Sequence, residues 1–173
     1  LPTPQYTNPA DPALSELNPT RVARVIQPRS GADVVDAVRA AAAEGRPLAI
    51  SGGRHAMGGQ QFARDAVLID TRAMNRVVSL DAERGVVEVE AGIQWPELID
   101  RLAELQQGST RPWGIIQKQT GADRLSIGGA LGANIHGRGL TFKPIIGDVE
   151  SFTLLNAAGR LITCSRSENS ELF

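Results

Sequence analysis

The sequence has few of the residues that build disulfides and metal sites. Among 173 residues there is one cysteine, Cys164, and there are two histidines, His55 and His136. A single cysteine excludes an intrachain disulfide and a cysteine-cluster metal site. Two histidines also argue against a histidine-based metal site, so we expect no metal centre. Cys164 itself is expected to be a small core residue.

A strong charge of one sign and a long apolar run are also missing. Lysine and arginine number 18, aspartate and glutamate number 19, and the formal net charge is -1. This balance gives no electrostatic reason to expect a nucleic acid or an anionic membrane as a partner. No apolar run approaches the roughly 20 residues that span a bilayer. The chain begins with Leu1 rather than Met, so a targeting segment would not be visible and the compartment stays open.

What the chain does contain is an ordinary globular composition. Hydrophobic residues make up 42% of it and charged residues 21%, which is enough for one compact domain or two small subdomains. Residues 1–20 carry five prolines and no apolar period. We therefore expect an extended lead-in over residues 1–20.

Apolar patterning after this lead-in predicts an α+β fold. A strand over residues 22–26, a helix that starts at Ser30 and stops at Gly45, and a strand over residues 47–51 make a βαβ unit. Such a unit pairs its strands in parallel through a right-handed crossover. The other predicted elements are strands at Val67–Asp70, 77–80, 86–91, 114–117, 152–156 and 161–163 and a helix from Pro96 to near Gly108. The apolar faces expected of the two helices are Val34, Val35, Val38, Ala41 and Ala42 in the first and Leu98, Ile99, Leu102 and Leu105 in the second.

The first informative stretch is a glycine-rich loop between two apolar runs, within residues 48–70. It reads Gly-Gly-Arg-His-Ala-Met-Gly-Gly over residues 52–59, with His55 in its middle. Successive backbone N–H groups in such a loop can form a concave nest for anionic oxygens. No helical apolar stripe follows the loop, so it is not the dinucleotide fingerprint that opens a helix. The alternative is a glycine-rich turn with a surface histidine.

The second informative stretch covers residues 125–140. If residues 127–135 are helical, Gly128, Gly129, Gly132 and Ala133 form a strip with almost no side chains. Each glycine in a helix costs about 0.5–1 kcal/mol relative to alanine, so the strip needs a compensating close contact. That contact is either with a flat ligand or with another protein segment. Ser126 is expected to cap the helix start and to leave free N–H groups for a ligand oxygen.

The two glycine-rich stretches, in this order, resemble the flavoprotein oxidoreductase family that includes vanillyl-alcohol oxidase, p-cresol methylhydroxylase, cytokinin dehydrogenase, alditol oxidase and berberine-bridge enzyme. The resemblance runs from about Thr20 to Phe173. The motifs that carry it are Ser51-Gly-Gly-Arg-His-Ala-Met-Gly-Gly-Gln60, Val67-Leu-Ile-Asp70, Val89-Glu-Ala-Gly92, Ser126-Ile-Gly-Gly-Ala130 and Ile135-His-Gly137. It implies a vanillyl-alcohol oxidase-type FAD-binding domain of two α/β subdomains, here residues 21–110 and 111–173, with the second incomplete and the chain ending before the substrate domain.

The resemblance also implies the cofactor site. FAD would be bound by Ser51, Gly52, Gly53, Arg54, His55, Ala56, Met57, Gly121, Ser126, Ile127, Gly128, Gly129, Ala133, Asn134, Ile135 and His136. Backbone amides of residues 52–57 would hold the pyrophosphate, and His55 would carry a covalent bond to the flavin 8-methyl position. His136 would lie close to the isoalloxazine as the catalytic candidate, to donate a hydrogen bond or move a substrate proton.

The sequence differs from the family pattern at three places. Arg54 and Ala56 stand where many members have glycine and serine around the histidine. No cysteine occurs near residues 120–122, where some members carry a second flavin bond. The chain also ends where relatives continue, so we expect an FAD-dependent oxidoreductase fragment that is inactive alone. Its small-molecule substrate would bind mainly in the missing C-terminal domain.

Overall fold

The computed structural model describes residues 5–6, 20–56, 58–118, 123–137, 139 and 141–173. One sheet has three parallel strands, which are β3 at Arg24–Ile26, β4 at Leu48–Ser51 and β5 at Val67–Asp70. Their order in the sheet is β3-β5-β4. The central strand β5 is buried along its whole length, as expected for a short apolar run in a parallel sheet.

The predicted βαβ unit is correct in its elements and in its parallel direction, but its two strands are not neighbours. β5 lies between β3 and β4 and pairs with both. The strand expected over residues 22–26 is shorter in the structure, since β3 covers only Arg24–Ile26. Before it, β2 at Thr20–Arg21 pairs antiparallel with β1 at Gln5–Tyr6. Most of the expected lead-in lies outside the described residues.

Helix α1 at Gly31–Ala43 connects β3 to β4. The Ser30 side chain accepts a hydrogen bond from the Asp33 N–H at 3.2 Å, which caps the helix as predicted. Gly45 follows the helix with φ +62°, the left-handed conformation that a glycine stop supplies. Ala37 and Ala41 are the buried side chains of α1, whereas Ala42 is exposed and was wrongly placed on the apolar face.

A hairpin and a second helix follow. β6 at Val77–Asp81 and β7 at Val86–Val89 pair antiparallel, and helix α2 spans Trp95–Leu105. Ile99 and Leu105 are exposed, so the apolar face of α2 is Trp95, Leu98 and Leu102. Residues 114–117 form no strand, contrary to the prediction.

The last elements are short helix α3 at Ile127–Gly132 and the hairpin of β8 at Ser151–Leu155 with β9 at Leu161–Ser165. Cys164 is fully buried, as expected. A hydrophobic core joins α2 to α3 through Ile93, Trp95, Leu98, Leu102, Ala130 and Ile145. Core contacts thus cross residue 110, and the proposed division into two subdomains there stays a prediction. Within the described part of the chain, no helix is long and apolar enough to cross a membrane.

Candidate flavin-binding site

The two glycine-rich stretches meet at Ser126. The Gly53 N–H donates a hydrogen bond to Ser126 Oγ at 3.3 Å. A Cβ on Gly52 would collide with the Ser126 side chain, and one on Gly53 with the backbone carbonyl of Arg124. Both glycines therefore allow the loop after β4 to lie directly against residues 124–126. The Gly53 N–H is therefore already used in a hydrogen bond within the protein.

Arg54 continues the loop in an unusual backbone conformation. Its φ is +60°, in the left-handed region that costs a non-glycine residue about 1–2 kcal/mol. Its guanidinium turns back to the end of β5, where Nη2 donates to Asp70 Oδ2 at 2.7 Å. The Arg54 side chain is 9% exposed and the Asp70 side chain 0%. This buried ion pair ties the residue before His55 to the most buried strand of the sheet.

Asp70 also accepts from Arg72. Arg72 Nε and Nη2 donate to the two carboxylate oxygens, at 2.9 Å to Oδ1 and 2.6 Å to Oδ2, and the Arg72 N–H donates to Oδ1. Burial of the carboxylate raises its pKa, but the hydrogen bonds from Arg72 and the charges of Arg72 and Arg54 outweigh burial. The pKa of Asp70 is therefore held below its ordinary value, and Asp70 is a charged anchor at neutral pH.

The remaining predicted residues of the first loop lie beside this anchor. His55 and Ala56 are partly buried, and the Ala56 carbonyl accepts from the Gly59 N–H. Ser51 is 3% exposed, and its carbonyl accepts from Thr71 Oγ1. Ser51 Oγ has no hydrogen-bond partner among the described residues. Met57 and Gly121, also predicted to bind the cofactor, lie outside the described residues.

The start of α3 differs from expectation. The Ile127 N–H donates to the Ile93 carbonyl at 2.9 Å, and the Gly128 N–H donates to the Ala91 carbonyl at 2.8 Å. These two amides are therefore not free for a ligand oxygen, and that prediction was wrong for them. The Ser126 side chain makes no cap hydrogen bond to the helix, because it faces Gly53.

The sequence offered two explanations for the glycine strip, contact with a flat ligand and contact with another protein segment, and they apply to different glycines. A Cβ on Gly128 would lie 2.8 Å from Ala91 Cβ and 2.9 Å from the Ala91 carbonyl oxygen, so Gly128 serves protein packing. Among the residues that the structure describes, a Cβ on Gly129 would meet only Ser126 Oγ at 3.0 Å, and one on Gly132 would meet nothing within 4 Å. Gly129, Gly132 and the following Ala133 are exposed. The helix thus has one packed glycine and a bare exposed surface.

The segment after α3 carries the second histidine. Asn134 is exposed with φ +43°, and Ile135 packs against the core while its carbonyl accepts from the Ile145 N–H at 2.8 Å. His136 is exposed, with Nδ1 3.1 Å from the Gly137 carbonyl oxygen. A carbonyl oxygen only accepts, so this contact is a hydrogen bond in the tautomer that carries the proton on Nδ1, which leaves the lone pair of the ring on Nε2.

Sequence reasoning missed the role of Asp70 and Arg72. The signal was an aspartate directly after the apolar run of β5, with arginines at positions 54 and 72 able to reach it. Buried carboxylates need such partners. No cluster of three or more His, Cys, Asp or Glu side chains that could hold a metal ion occurs in the residues that the structure describes.

Comparison with known proteins identifies the domain. The family model described as an FAD binding domain matches residues 22–165. The chain belongs to this family of FAD-binding domains. The predicted resemblance to flavoprotein oxidoreductases is thereby confirmed, as are the FAD cofactor and the α+β fold.

Similar proteins carry the same domain within longer chains. An uncharacterised oxidoreductase of the fasciation locus of Rhodococcoides fascians is 32% identical over 86% of this chain and 32% of its own length. Bovine L-gulonolactone oxidase is 30% identical over 85% of this chain and 32% of its length. The solved structure of 6-hydroxy-D-nicotine oxidase from Arthrobacter nicotinovorans superposes with a TM-score of 0.71 at 19% identity, over 99% of this chain and 38% of that one. The chain thus spans about a third of the length of the curated relatives it matches.

The described residues fit an FAD molecule. The exposed backbone at Gly129 and Gly132 has room for a flat group to approach, because Ser126 Oγ is the only atom of the described residues that lies close to where their side chains would be. The buried Ser51 hydroxyl at the end of β4 has an unused hydrogen-bonding capacity beside the loop. The loop and the bare helix surface adjoin at Gly53 and Ser126.

Proposed function

We propose that this domain binds the FAD of an oxidoreductase that removes a hydride from an alcohol or amine carbon, with the cofactor covalently linked through His55. The observation that carries the proposal is the contact of the two glycine-rich stretches at Ser126, which makes the loop bearing His55 and the bare surface of α3 one continuous region. Membership in the FAD-binding family and the FAD-dependent relatives support the oxidoreductase class.

Bound FAD supplies the two-electron acceptor for hydride transfer, and the protein supplies position and electrostatics. A neutral imidazole nitrogen is nucleophilic, so the side chain type at position 55 suits a bond to the 8-methyl carbon. His55 would hold the flavin through its ring nitrogen, and the backbone of residues 52–57 would hold the pyrophosphate of the same cofactor. Such a link is expected to make the flavin a stronger oxidant.

His136 is the proposed group for handling the substrate proton. Its Nδ1–H donates to the Gly137 carbonyl, so Nε2 is the nitrogen that accepts. In the tautomer that carries the proton on Nδ1, Nε2 of this exposed side chain can accept a proton, as a general base must. His136 therefore accepts a hydroxyl or ammonium proton as the hydride leaves the carbon.

The substrate is proposed only by class. L-gulonolactone, in the name of the bovine relative, carries alcohol groups, and 6-hydroxy-D-nicotine, in the name of the solved structure, carries an amine. Both classes agree with hydride removal from a carbon that bears oxygen or nitrogen. The chain spans about a third of its relatives, so we place most substrate contacts outside it and expect no turnover by these 173 residues alone.

The covalent link is tested by acid precipitation and intact mass. The wild-type chain, produced with FAD, is expected to keep yellow colour after precipitation and to show the mass of an added FAD. His55→Ala should lose both while remaining folded, because His55 is a loop residue outside the core. His136→Ala is the matched control and should keep the link. An added FAD mass that survives in His55→Ala would contradict the assignment.

One observation favours a second candidate, an unlinked-FAD reductase of the same fold. Arg54 and Ala56 occupy the positions where many linked members of the family have glycine and serine. Yellow colour that is released on precipitation would favour that reductase. A colourless preparation would favour a fragment that has lost its cofactor or never bound it.

A further inference from the structure

The ion pair between Arg54 and Asp70 lies one residue before the histidine that the proposed function uses. Arg54 has φ +60°, a conformation that glycine adopts readily and arginine adopts at a cost. Its guanidinium is almost fully buried against a carboxylate with no exposed surface. The ion pair needs both charged side chains, so replacing either one separates the loop after β4 from the end of β5.

We propose that Arg54 is a positioning residue: its ion pair with Asp70 holds the backbone before His55 in the left-handed conformation and so fixes where the imidazole is presented. This inference rests on the proposed role of His55. Glycine adopts the left-handed conformation readily. In this chain the buried ion pair of the Arg54 side chain compensates the free-energy cost that arginine has in the same conformation.

Three features of the surroundings of the pair support this role. Asp70 cannot follow a moving loop, because Arg72 holds it through both carboxylate oxygens and a backbone N–H. Asp70 ends β5, the fully buried central strand, so the anchor belongs to the rigid sheet. On the other side, Gly53 is held by Ser126. Residue 54 is therefore fixed through its side chain and through the residue before it.

The proposal separates two substitutions at the same position. Arg54→Ala removes the ion pair and keeps the backbone cost, so the loop leaves the left-handed conformation and FAD must bind a minor population. Arg54→Gly removes the same ion pair and also the backbone cost. We therefore expect the flavin-free Arg54→Ala chain to bind FAD, before any covalent bond forms, about 5- to 30-fold more weakly than the flavin-free wild-type chain. Arg54→Gly should recover most of that loss.

The matched control is Arg76→Ala. Arg76 is also paired with a carboxylate, Glu90, but its side chain is 70% exposed and lies far along the chain from the loop. FAD affinity of this variant should equal that of wild type. Thermal denaturation of all variants, compared with wild type, shows that each is folded.

A second readout needs no cofactor. The chain has two histidines, so the imidazole resonances of His55 and His136 can be assigned by one substitution each. In Arg54→Ala the His55 resonance should shift or broaden, while His136 stays unchanged; in Arg54→Gly the His55 resonance should return toward its wild-type position.

The results have distinct meanings. Equal weakening in Arg54→Gly and Arg54→Ala would overturn the proposal, because it would show that the guanidinium contacts the cofactor itself. Wild-type FAD affinity and an unchanged His55 resonance in Arg54→Ala would overturn it as well. A wild-type chain that binds FAD without a covalent bond would contradict the proposed link, but the comparison of affinities and resonances would still decide the role of Arg54.

Discussion

Neighbouring glycines of α3 should respond oppositely to the same substitution. A Cβ on Gly128 would lie 2.8 Å from Ala91 Cβ and 2.9 Å from the Ala91 carbonyl oxygen, which also accepts the Gly128 N–H. In the described part of the chain, a Cβ on Gly129 would approach only the Ser126 hydroxyl, at 3.0 Å. Gly128→Ala should therefore damage the fold, and Gly129→Ala should damage the cofactor site.

The magnitudes follow from these contacts. Forcing a methyl group into a packed site costs about 1–3 kcal/mol. Replacing glycine by alanine within a helix returns about 0.5–1 kcal/mol. We expect Gly128→Ala to lower the free energy of unfolding by about 1–2 kcal/mol, which is a fall of about 2–8 °C in Tm for a chain of this size. Gly129→Ala should keep the wild-type Tm or raise it slightly.

The assay is thermal unfolding of both variants without FAD, followed by FAD titration at a temperature where both are folded. FAD affinity should fall at least about tenfold in Gly129→Ala, a loss of about 1.4 kcal/mol, and stay near wild type in Gly128→Ala. Equal Tm values for Gly128→Ala and wild type, or unchanged FAD affinity in Gly129→Ala, would refute the division of the strip into a packed and an exposed side.

Three further predictions concern the surroundings of the site. Asp70→Asn should destabilise the fold by about 3–5 kcal/mol at pH 7, because it removes the carboxylate that pairs with the buried Arg54 guanidinium. Since the folded pKa of Asp70 lies below its ordinary value, the stability that Asp70 contributes is present above about pH 4 and is lost as the pH falls through the folded pKa. The stability of Asp70→Asn should lack this part of the pH dependence. Identical acid denaturation profiles of the variant and the wild type would contradict this prediction. Gly92→Ala should destabilise more than Gly128→Ala in urea unfolding, because its Cβ would collide with the Thr71 carbonyl and lie 2.7 Å from that of Met74; a wild-type midpoint would show that these turns can move. Ser30→Ala should cost about 1 kcal/mol through loss of the α1 cap and leave FAD affinity unchanged, and a weakened affinity would mean that α1 reaches the site.

Local sequence patterns predicted which helices and strands form better than they predicted which of them lie side by side. The alternation of apolar runs and turn residues located β4, β5, α1 and both hairpins, because period and turn chemistry are local properties. The position of β5 between β3 and β4 is a long-range pairing, and the local pattern carries no information about which parallel strand is adjacent. The exposed Ile99 and Leu105 show the same limit, because the width of the covered face of α2 depends on what packs against it.

The candidate site was predictable as a pair of glycine-rich stretches, but not in its internal division. The sequence alone could not distinguish Gly128, which packs on Ala91, from Gly129, which does not, because both are glycines of one short helix. It also gave no sign that the Ile127 and Gly128 amides donate to protein carbonyls. The Arg54–Asp70 pair was hidden because the two residues are 16 positions apart and their contact exists only in the folded chain.

Both the site and the proposed function depend on the two glycine-rich stretches forming one binding surface for FAD. Hydrogen–deuterium exchange of the chain with and without FAD tests this most directly. Residues 52–56 and 129–136 should gain protection together at the same FAD concentration, while α1 at Gly31–Ala43 stays unchanged. Protection of one stretch without the other, at saturating FAD, would contradict it.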